Sequence, residues 1–258
     1  MENKCSHKPT LRVLGILRAV SQTQEGLSLT ELSAQIGSPK SSLFPIVHTL
    51  AKEGFLSLQP ATSRYRLGIA AFETGQKYVE QMDILQQIRS EMRKIVLSCY
   101  ETCHFGILEQ GNVLYILKED SPEPIRMVSS VGKQLPAYGT GIGKALLSGY
   151  TSDQLKALYP NGLTAMTPFT ITNFDLLAKQ LAQVAKEGVA YEKEESNLHI
   201  QCIAVPLQNH GKTVAALSVA IPTFRADEEK LSLAKSLLIE SKQHLDRLLQ
   251  SANIQSLH

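Results

Sequence analysis

Four groups of residues in this 258-residue chain have types and spacing suited to chemistry. Cys99, Cys103 and His104 put two thiols one helical turn apart with an imidazole beside the second, a pattern that can ligate a metal. The same spacing arises where a helix simply buries its cysteines, and packing is the better reading here. Cys202 is a candidate nucleophile, but its setting, IQCIAVPL, is an apolar strand in which a thiol stays protonated and inert. GTGIGKALL (139–147) reads as a turn feeding a helix. The N–H groups of Gly141, Ile142 and Gly143 would face outward at the positive end of the helix dipole, a geometry that suits a carboxylate. The alternative is that these glycines serve packing alone. The segment lacks the GxxxxGK[ST] spacing of a nucleotide P-loop, since Ala145 follows Lys144. Last, Arg64 and Arg66 lie two residues apart and so share one face of a strand. They can meet phosphate, or they can be a charged edge that discourages strand addition.

The elements that must position these groups follow from periodicity and turn residues. Thr10 can cap a helix over 11–22. Thr30 or Ser28 can cap a short helix followed by a tight turn at Gly37, and Ser28 with Glu31 three residues on matches a capping box. SPKSSLFPIVHTL (38–50) then carries Leu43, Ile46, Val47 and Leu50 in a helical stripe, with Pro45 inside it. A proline in a helix interior costs ~3 kcal/mol. A start delayed to Ser42 as N-cap would place Pro45 among the first N–H groups, which have no partner to lose. The sequence therefore predicts a loosened first turn at 39–42, or a kink, then helix to Glu53. FLSLQPATSRYRLG alternates on either side of Pro60, Thr62 and Ser63, which predicts a hairpin. Helix, short helix, turn, helix and hairpin within about 60 residues is a winged helix-turn-helix plan.

Beyond it, helices are predicted over 68–82 and 84–102, and strands over 104–109, 113–119, 125–130 and 135–137. Helices at 141–149, after Thr151 (with Gln154 completing a capping box) and at 175–187 come next. Strands at 189–191, 200–207 and 213–222 and a last helix from Asp227 to about Leu249 complete the order. Leu231, Leu238, Leu245 and Leu248 give that helix an apolar side for core or dimer packing. Without a regular βαβ repeat, this is an α+β arrangement rather than a doubly wound one.

Length and composition agree with one or two globular domains. Apolar residues make up 43% and charged residues 19% of the chain, enough for a core. No apolar run approaches the roughly 20 residues of a membrane span, and the start carries no signal-peptide core. The cysteine spacing is neither a disulfide framework nor a zinc ribbon, so a cytoplasmic location is expected. The net charge of +2 is uneven: residues 1–76 hold 8 Lys/Arg against 5 Asp/Glu.

From Leu11 to about Leu249 the chain resembles the IclR family of bacterial transcription regulators. The resemblance rests on LSLTELSAQIGSPKSSLFPIVHTLAKEGFL followed by SRYRLG, on GTGIGKALL, and on EGVAYEKEESNLHIQCIAVPL with Gly188, Glu195 and Cys202-Ile203-Ala204 at the family's spacing. It implies an N-terminal winged helix-turn-helix (9–68), a linker helix (69–83) and a C-terminal GAF-like mixed α/β effector domain with an antiparallel sheet (84–250). It also implies a homodimer or tetramer on a palindromic double-stranded operator, controlled by a small-molecule effector, with no cofactor and no membrane partner. Two positions depart from the family pattern: Glu192, where Asp or Ser is common, and Pro45, where an arginine placed to touch DNA is common.

Carried onto this chain, the DNA-contacting set is Lys40, Ser41, Ser42, Phe44 and His48 with the wing residues Arg64 and Arg66. The effector-contacting set is Met127, Leu135, Gly141, Ile142, Glu192, Cys202 and Ser218. Ala220 stands where some members have a second pocket serine. In this reading Met127 and Leu135 form an apolar wall, Ser218 and Cys202 donate weakly, and Glu192 accepts from ligand hydroxyls or turns to solvent or Lys193. A hydroxy acid, sugar acid or related organic acid fits such a set. The expected function is a ligand-responsive regulator, a repressor in the first instance. The competing readings are a protein-interaction module and, remotely, an enzyme using Cys202.

Overall fold

The computed structural model describes residues 7–80 and 83–251, which divide between residues 82 and 83 into two units. In the first unit, α1 (Lys8–Ser21) starts earlier than Thr10. His7 holds the N-cap position and its Nδ1 meets the Thr10 hydroxyl at 3.0 Å. Pro9 in the first turn loses no bond there, so nothing delays the helix. A two-residue strand β1 (Leu27–Ser28) leads into α2 (Leu29–Ile36). Ser28 and Glu31 form the expected capping box, and Gly37 ends the helix in the left-handed conformation.

The third helix corrects the expectation for Pro45. α3 runs Lys40–Lys52 with Pro39 as N-cap, and Pro45 sits within it. Ser42 is inside the first turn: its N–H donates to Pro39 O at 2.9 Å and that of Leu43 to the same oxygen at 3.2 Å. Proline deletes the bond to the Ser41 carbonyl, but Ser41 is exposed and water can serve that oxygen. On the opposite side Leu43, Val47 and Leu50 are buried among Ile16, Val20, Leu32 and Leu56. Burial of each such side chain is worth about 1.5–3 kcal/mol, so three of them outweigh one proline.

Strands β2 (Leu56–Gln59) and β3 (Arg64–Leu67) form the wing, and β1 pairs with the outer side of β3 to give the order β1-β3-β2. Helix α4 (Ile69–Glu80) follows, its start tied to the wing by Ala70 N–H donating to Gly54 O at 3.1 Å.

The second unit opens with α5 (Asp83–Cys99), which ends three residues earlier than expected. Tyr100, with φ of 59°, ends it, and β4 (Thr102–Glu109) begins at once. The remaining strands are β5 (Asn112–Glu119), β6 (Gln134–Pro136), β7 (Ala190–Lys193), β8 (Ile200–Asn209) and β9 (Lys212–Pro222). All six form one antiparallel sheet ordered β6-β5-β4-β9-β8-β7.

Residues 125–130 are not a strand. Pro122 and Pro124 precede them, and the β5 edge they would pair with is taken by β6, Val113 opposite Leu135. The segment 121–133 is instead an irregular loop. Short helices α6 (Gly141–Leu146) and α7 (Ser152–Leu158) and the longer α8 (Phe174–Glu187) follow, and α9 (Glu228–Ser251) ends the described chain.

Strand alternation divides the sheet into two faces. Helices α5 and α9 cover the one carrying Phe105, Leu217, Val219 and Val205, with Leu238 and Leu245 of α9 fully buried. Leu231 and Leu248 are half-buried. Helix α6 lies on the other face, whose residues are smaller and more polar: Thr102, His104, Ala216, Ser218, Ala220, Cys202, Ala204 and Glu192. Among the described residues no helix is long and apolar enough to cross a membrane.

Candidate functional site

On the first unit, Lys40, Ser41, Phe44 and His48 all lie exposed on one side of α3. Phe44 keeps 53% of its surface, and its ring stands 6.0 Å from that of His48. Ser42 is half-buried in the first turn. The wing arginines do share a side of β3, but neither stands free. Arg64 donates to Gly26 O and to Glu31 Oε1, both at 2.8 Å. Arg66 lies 3.4 Å from Glu25. The bonds from Ser28, and then Arg64, hold the Glu31 carboxyl below its usual range. Arg64 thus clamps the wing to the head of α2, and its charge is answered inside the module.

On the second unit, β-register assembles most of the expected effector set. Glu192 pairs with Cys202, Cys202 with Ala220, and Ala204 with Ser218, while His104 on β4 also faces Ser218. The sheet curls enough for Tyr115 on β5 to feel Cys202 and Glu192: burial, then these two groups, push its hydroxyl well above the usual range. Leu135 is half-buried on β6, next to the core around Ile142. Met127 is half-buried in the 121–133 loop rather than on a strand.

Glu192 does not turn to solvent or to Lys193. Its side chain is buried, with 2% of the residue exposed. One carboxylate oxygen accepts the N–H groups of Glu195 and Ser196, the latter at 3.2 Å. The other, Oε2, is buried and no N–H or O–H donates to it, the weak Cys202 thiol being the remaining donor beside this carboxylate. Burial raises the carboxyl from an ordinary 4.5 to about 7 against the pull of those N–H bonds. The Cys202 thiol is pushed far up, first by burial and then by the Glu192 charge, so it is a poor nucleophile.

The glycine turn is packed closely. A β-carbon on Gly141 would lie 2.8 Å from Cys202 Cβ, and one on Gly143 only 2.1 Å from the Ala137 carbonyl oxygen. The Gly143 N–H is already donated to Thr140 Oγ1 at 3.0 Å. Packing therefore accounts for both glycines without a ligand.

Cys99 is the last residue of α5 and Cys103 lies in β4, so the helical spacing that suggested a metal does not exist. Among the described residues no group of His, Cys, Asp and Glu is arranged to hold a metal ion. A cleft of about 750 Å³, lined by Tyr150, Gln154, Lys186, Lys212 and Lys242, lies elsewhere on the unit and includes none of the expected effector residues.

Two features escape local pattern. Lys144, within the glycine motif, is 1% exposed, donating to Gln180 Oε1 at 2.9 Å and to the buried Glu195 carboxylate. It joins two motifs 51 residues apart, and a lysine in an otherwise apolar run was the available signal. The second is the strapping of the 121–133 loop. Ser129 Oγ meets His104 Nε2 at 2.6 Å, Ser129 O accepts from Lys118 Nζ at 2.9 Å, and Arg225 reaches Ile125 O at 2.9 Å.

Comparison with known proteins gives the family of both units. A profile described as the IclR helix-turn-helix domain matches residues 10–60, and one described as bacterial transcriptional regulator IclR C-terminal matches residues 76–247. The HTH-type transcriptional regulator KdgR of Escherichia coli is 33% identical over 86% of this chain and 84% of its own. The acetate operon repressor of Salmonella typhimurium is 27% identical over 89% of this chain and 85% of its own. The crystal structure of an IclR transcriptional regulator from Alicyclobacillus acidocaldarius superposes with a TM-score of 0.85 at 24% identity, covering 94% of this chain and 98% of that one. The chain is a DNA-binding regulator with an effector domain, and it belongs to the IclR family of bacterial transcription regulators.

Proposed function

We propose that this protein is a cytoplasmic repressor that binds a palindromic operator as a homodimer or tetramer and responds to a small organic acid. The unpartnered Glu192 Oε2, buried on the small-residue face of the sheet, is the observation that carries the effector reading. A buried polar atom without a partner costs about 1–3 kcal/mol, and a ligand hydroxyl donating to it removes that cost. On the DNA side, α3 presents Lys40, Ser41, Phe44 and His48 to the groove, and Arg66 is the wing cation with the weaker internal tie. Ser42 and Arg64 shape the contact surface. Exposed Leu11 and Leu14 on α1 and Ile69 and Phe72 on α4 supply apolar surface for association. A relative named as an operon repressor supports the sign of regulation. No catalytic step is assigned to Cys202.

The test is anisotropy titration of labelled duplex from upstream of the protein's own gene, at two salt concentrations, with and without small hydroxy acids. Salt-sensitive binding that an acid weakens is the expected result. No DNA binding at either salt would turn the reading toward a protein-interaction module. Binding relieved only by neutral or cationic compounds would sink the acid.

Pro45→Arg is expected to act twice. It restores the N–H toward the Ser41 carbonyl, so the melting temperature rises. It also places a cation on the exposed side of α3, so DNA binding tightens and the slope of log K against log salt steepens by about 0.9. An unchanged slope in the same titration would show that this side of α3 does not approach phosphate.

A further inference from the structure

In the major groove the paired hydrogen bonds that identify a base come from side chains with two polar atoms, such as arginine on guanine and asparagine or glutamine on adenine. Helix α3, KSSLFPIVHTLAK, contains none of these three residue types, and no Asp or Glu. Its two lysines, Lys40 and Lys52, stand at its first and last positions, where a cation meets phosphate.

Between those ends the helix presents two adjacent exposed rows at four-residue spacing. Lys40, Phe44 and His48 form one, and Ser41, Pro45 and Thr49 the other. Phe44 stands at the centre. It is 53% exposed, and its ring is tilted by 34° to that of His48. Leu43, Val47 and Leu50 supply the core on the opposite side of the helix, and Phe44 takes no part in that cluster. The exposed Pro45 ring lies next to it in the sequence. Thr49 donates its hydroxyl to Pro45 O at 2.8 Å, so its proton is spent within the helix. The middle of the outward face is therefore apolar, edged by Ser41 and His48. An exposed phenylalanine there adds nothing to the stability of the module.

The base edges of the major groove offer an apolar side chain one complementary group, the C5-methyl of thymine. We infer that Phe44 is a specificity-determining residue of the operator contact, reading thymine through that methyl, with the Pro45 ring widening the apolar strip. Each half-site then carries a thymine facing Phe44. Cytosine or adenine there would set an amino group against the ring and leave that donor unpaired, which costs affinity. The assignment rests on the operator reading proposed above and is independent of the effector.

The test is anisotropy titration of the full chain with the duplex it protects upstream of its own gene, each thymine being replaced in turn by deoxyuridine, which lacks only the methyl. In wild type, substitution at a thymine in each half-site is expected to weaken binding about three- to fourfold, the worth of one buried methyl. Phe44→Ala is expected to bind the unsubstituted duplex more weakly and to ignore that substitution. Its salt slope should match that of wild type, because the phosphate contacts remain. Its melting temperature should also match, since the side chain is exposed. Phe44→Leu should keep part of the discrimination. If wild type responds to deoxyuridine nowhere, or if Phe44→Ala responds as wild type does, the assignment is overturned and the operator reading stands. A smaller assembly of free Phe44→Ala in sedimentation would place Phe44 between copies of the chain and would overturn it too. Wild type that binds no duplex overturns both readings.

Discussion

Lys144→Met is expected to cost about 3–5 kcal/mol of stability, the range for removing one partner of a buried ion pair. The Lys144 ammonium is enclosed by α6, Gln180 of α8 and the Glu195 carboxylate, and Glu195 also accepts the Ile171 N–H at 3.3 Å through its second oxygen. Methionine fills much of the lysine volume, so packing is largely kept and the loss reports the stranded carboxylate. For a unit of this size each kcal/mol moves the melting temperature by about 2–4 °C, so a fall of roughly 10 °C should be seen. Lys144→Met with Glu195→Gln should recover much of it, because replacing both charges of a buried pair is often near neutral. A double-mutant cycle by thermal and urea unfolding gives the coupling directly. A fall below about 2 °C for Lys144→Met alone would show that solvent reaches the pair.

The Lys144–Glu195 pair also marks what the sequence could and could not disclose. Both capping boxes, Ser28 with Glu31 and Thr151 with Gln154, were legible because they act over three residues with local geometry. The hairpin of the wing and the helix stop at Gly188 were legible for the same reason. Errors came where distant packing overrode a local rule. The Leu43, Val47 and Leu50 contacts keep the chain helical from Lys40 on despite Pro45, and β6 takes the free edge of β5, leaving none for a strand at 125–130. At the effector site, Cys202 and Ser218 were legible only through the family resemblance, and the register of β8 and β9 sets them on one face. The partners of Lys118, Ser129 and His104 were not readable, because they depend on where a long irregular loop lands. The inward turn of Glu192 was missed because its one satisfied oxygen is served by the backbone of Glu195 and Ser196, which no side-chain pattern announces.

Glu192 gives the second large effect, and its sign follows from linkage. The carboxyl titrates near the ordinary 4.5 when unfolded and at about 7 when folded. Below about pH 4.5 both states are protonated and burial carries no charge penalty. As pH rises toward 7 the unfolded state releases its proton first, so the folded state binds more protons and stability declines across that window. Above about pH 7 the loss is complete, roughly 3 kcal/mol at 1.36 kcal/mol per pH unit of displacement. Glu192→Gln cannot ionise, yet its carbonyl oxygen can still accept the Glu195 and Ser196 N–H groups. The variant should match wild type near pH 4.5 and exceed it by about 2–3 kcal/mol at pH 8, the uncharged amide still having to occupy the unpartnered position. Urea unfolding at pH 4.5, 6 and 8 separates the outcomes. Parallel stability curves for the two proteins would mean that Glu192 titrates in the fold as it does in the unfolded chain, with Oε2 served by water. A gap that opens between pH 4.5 and 7 would mean that the site keeps a proton until something arrives to donate to it. An effector hydroxyl reaching Oε2 would then lower the folded-state pKa, and acid binding would release a proton measurable by calorimetry in buffers of different ionisation enthalpy.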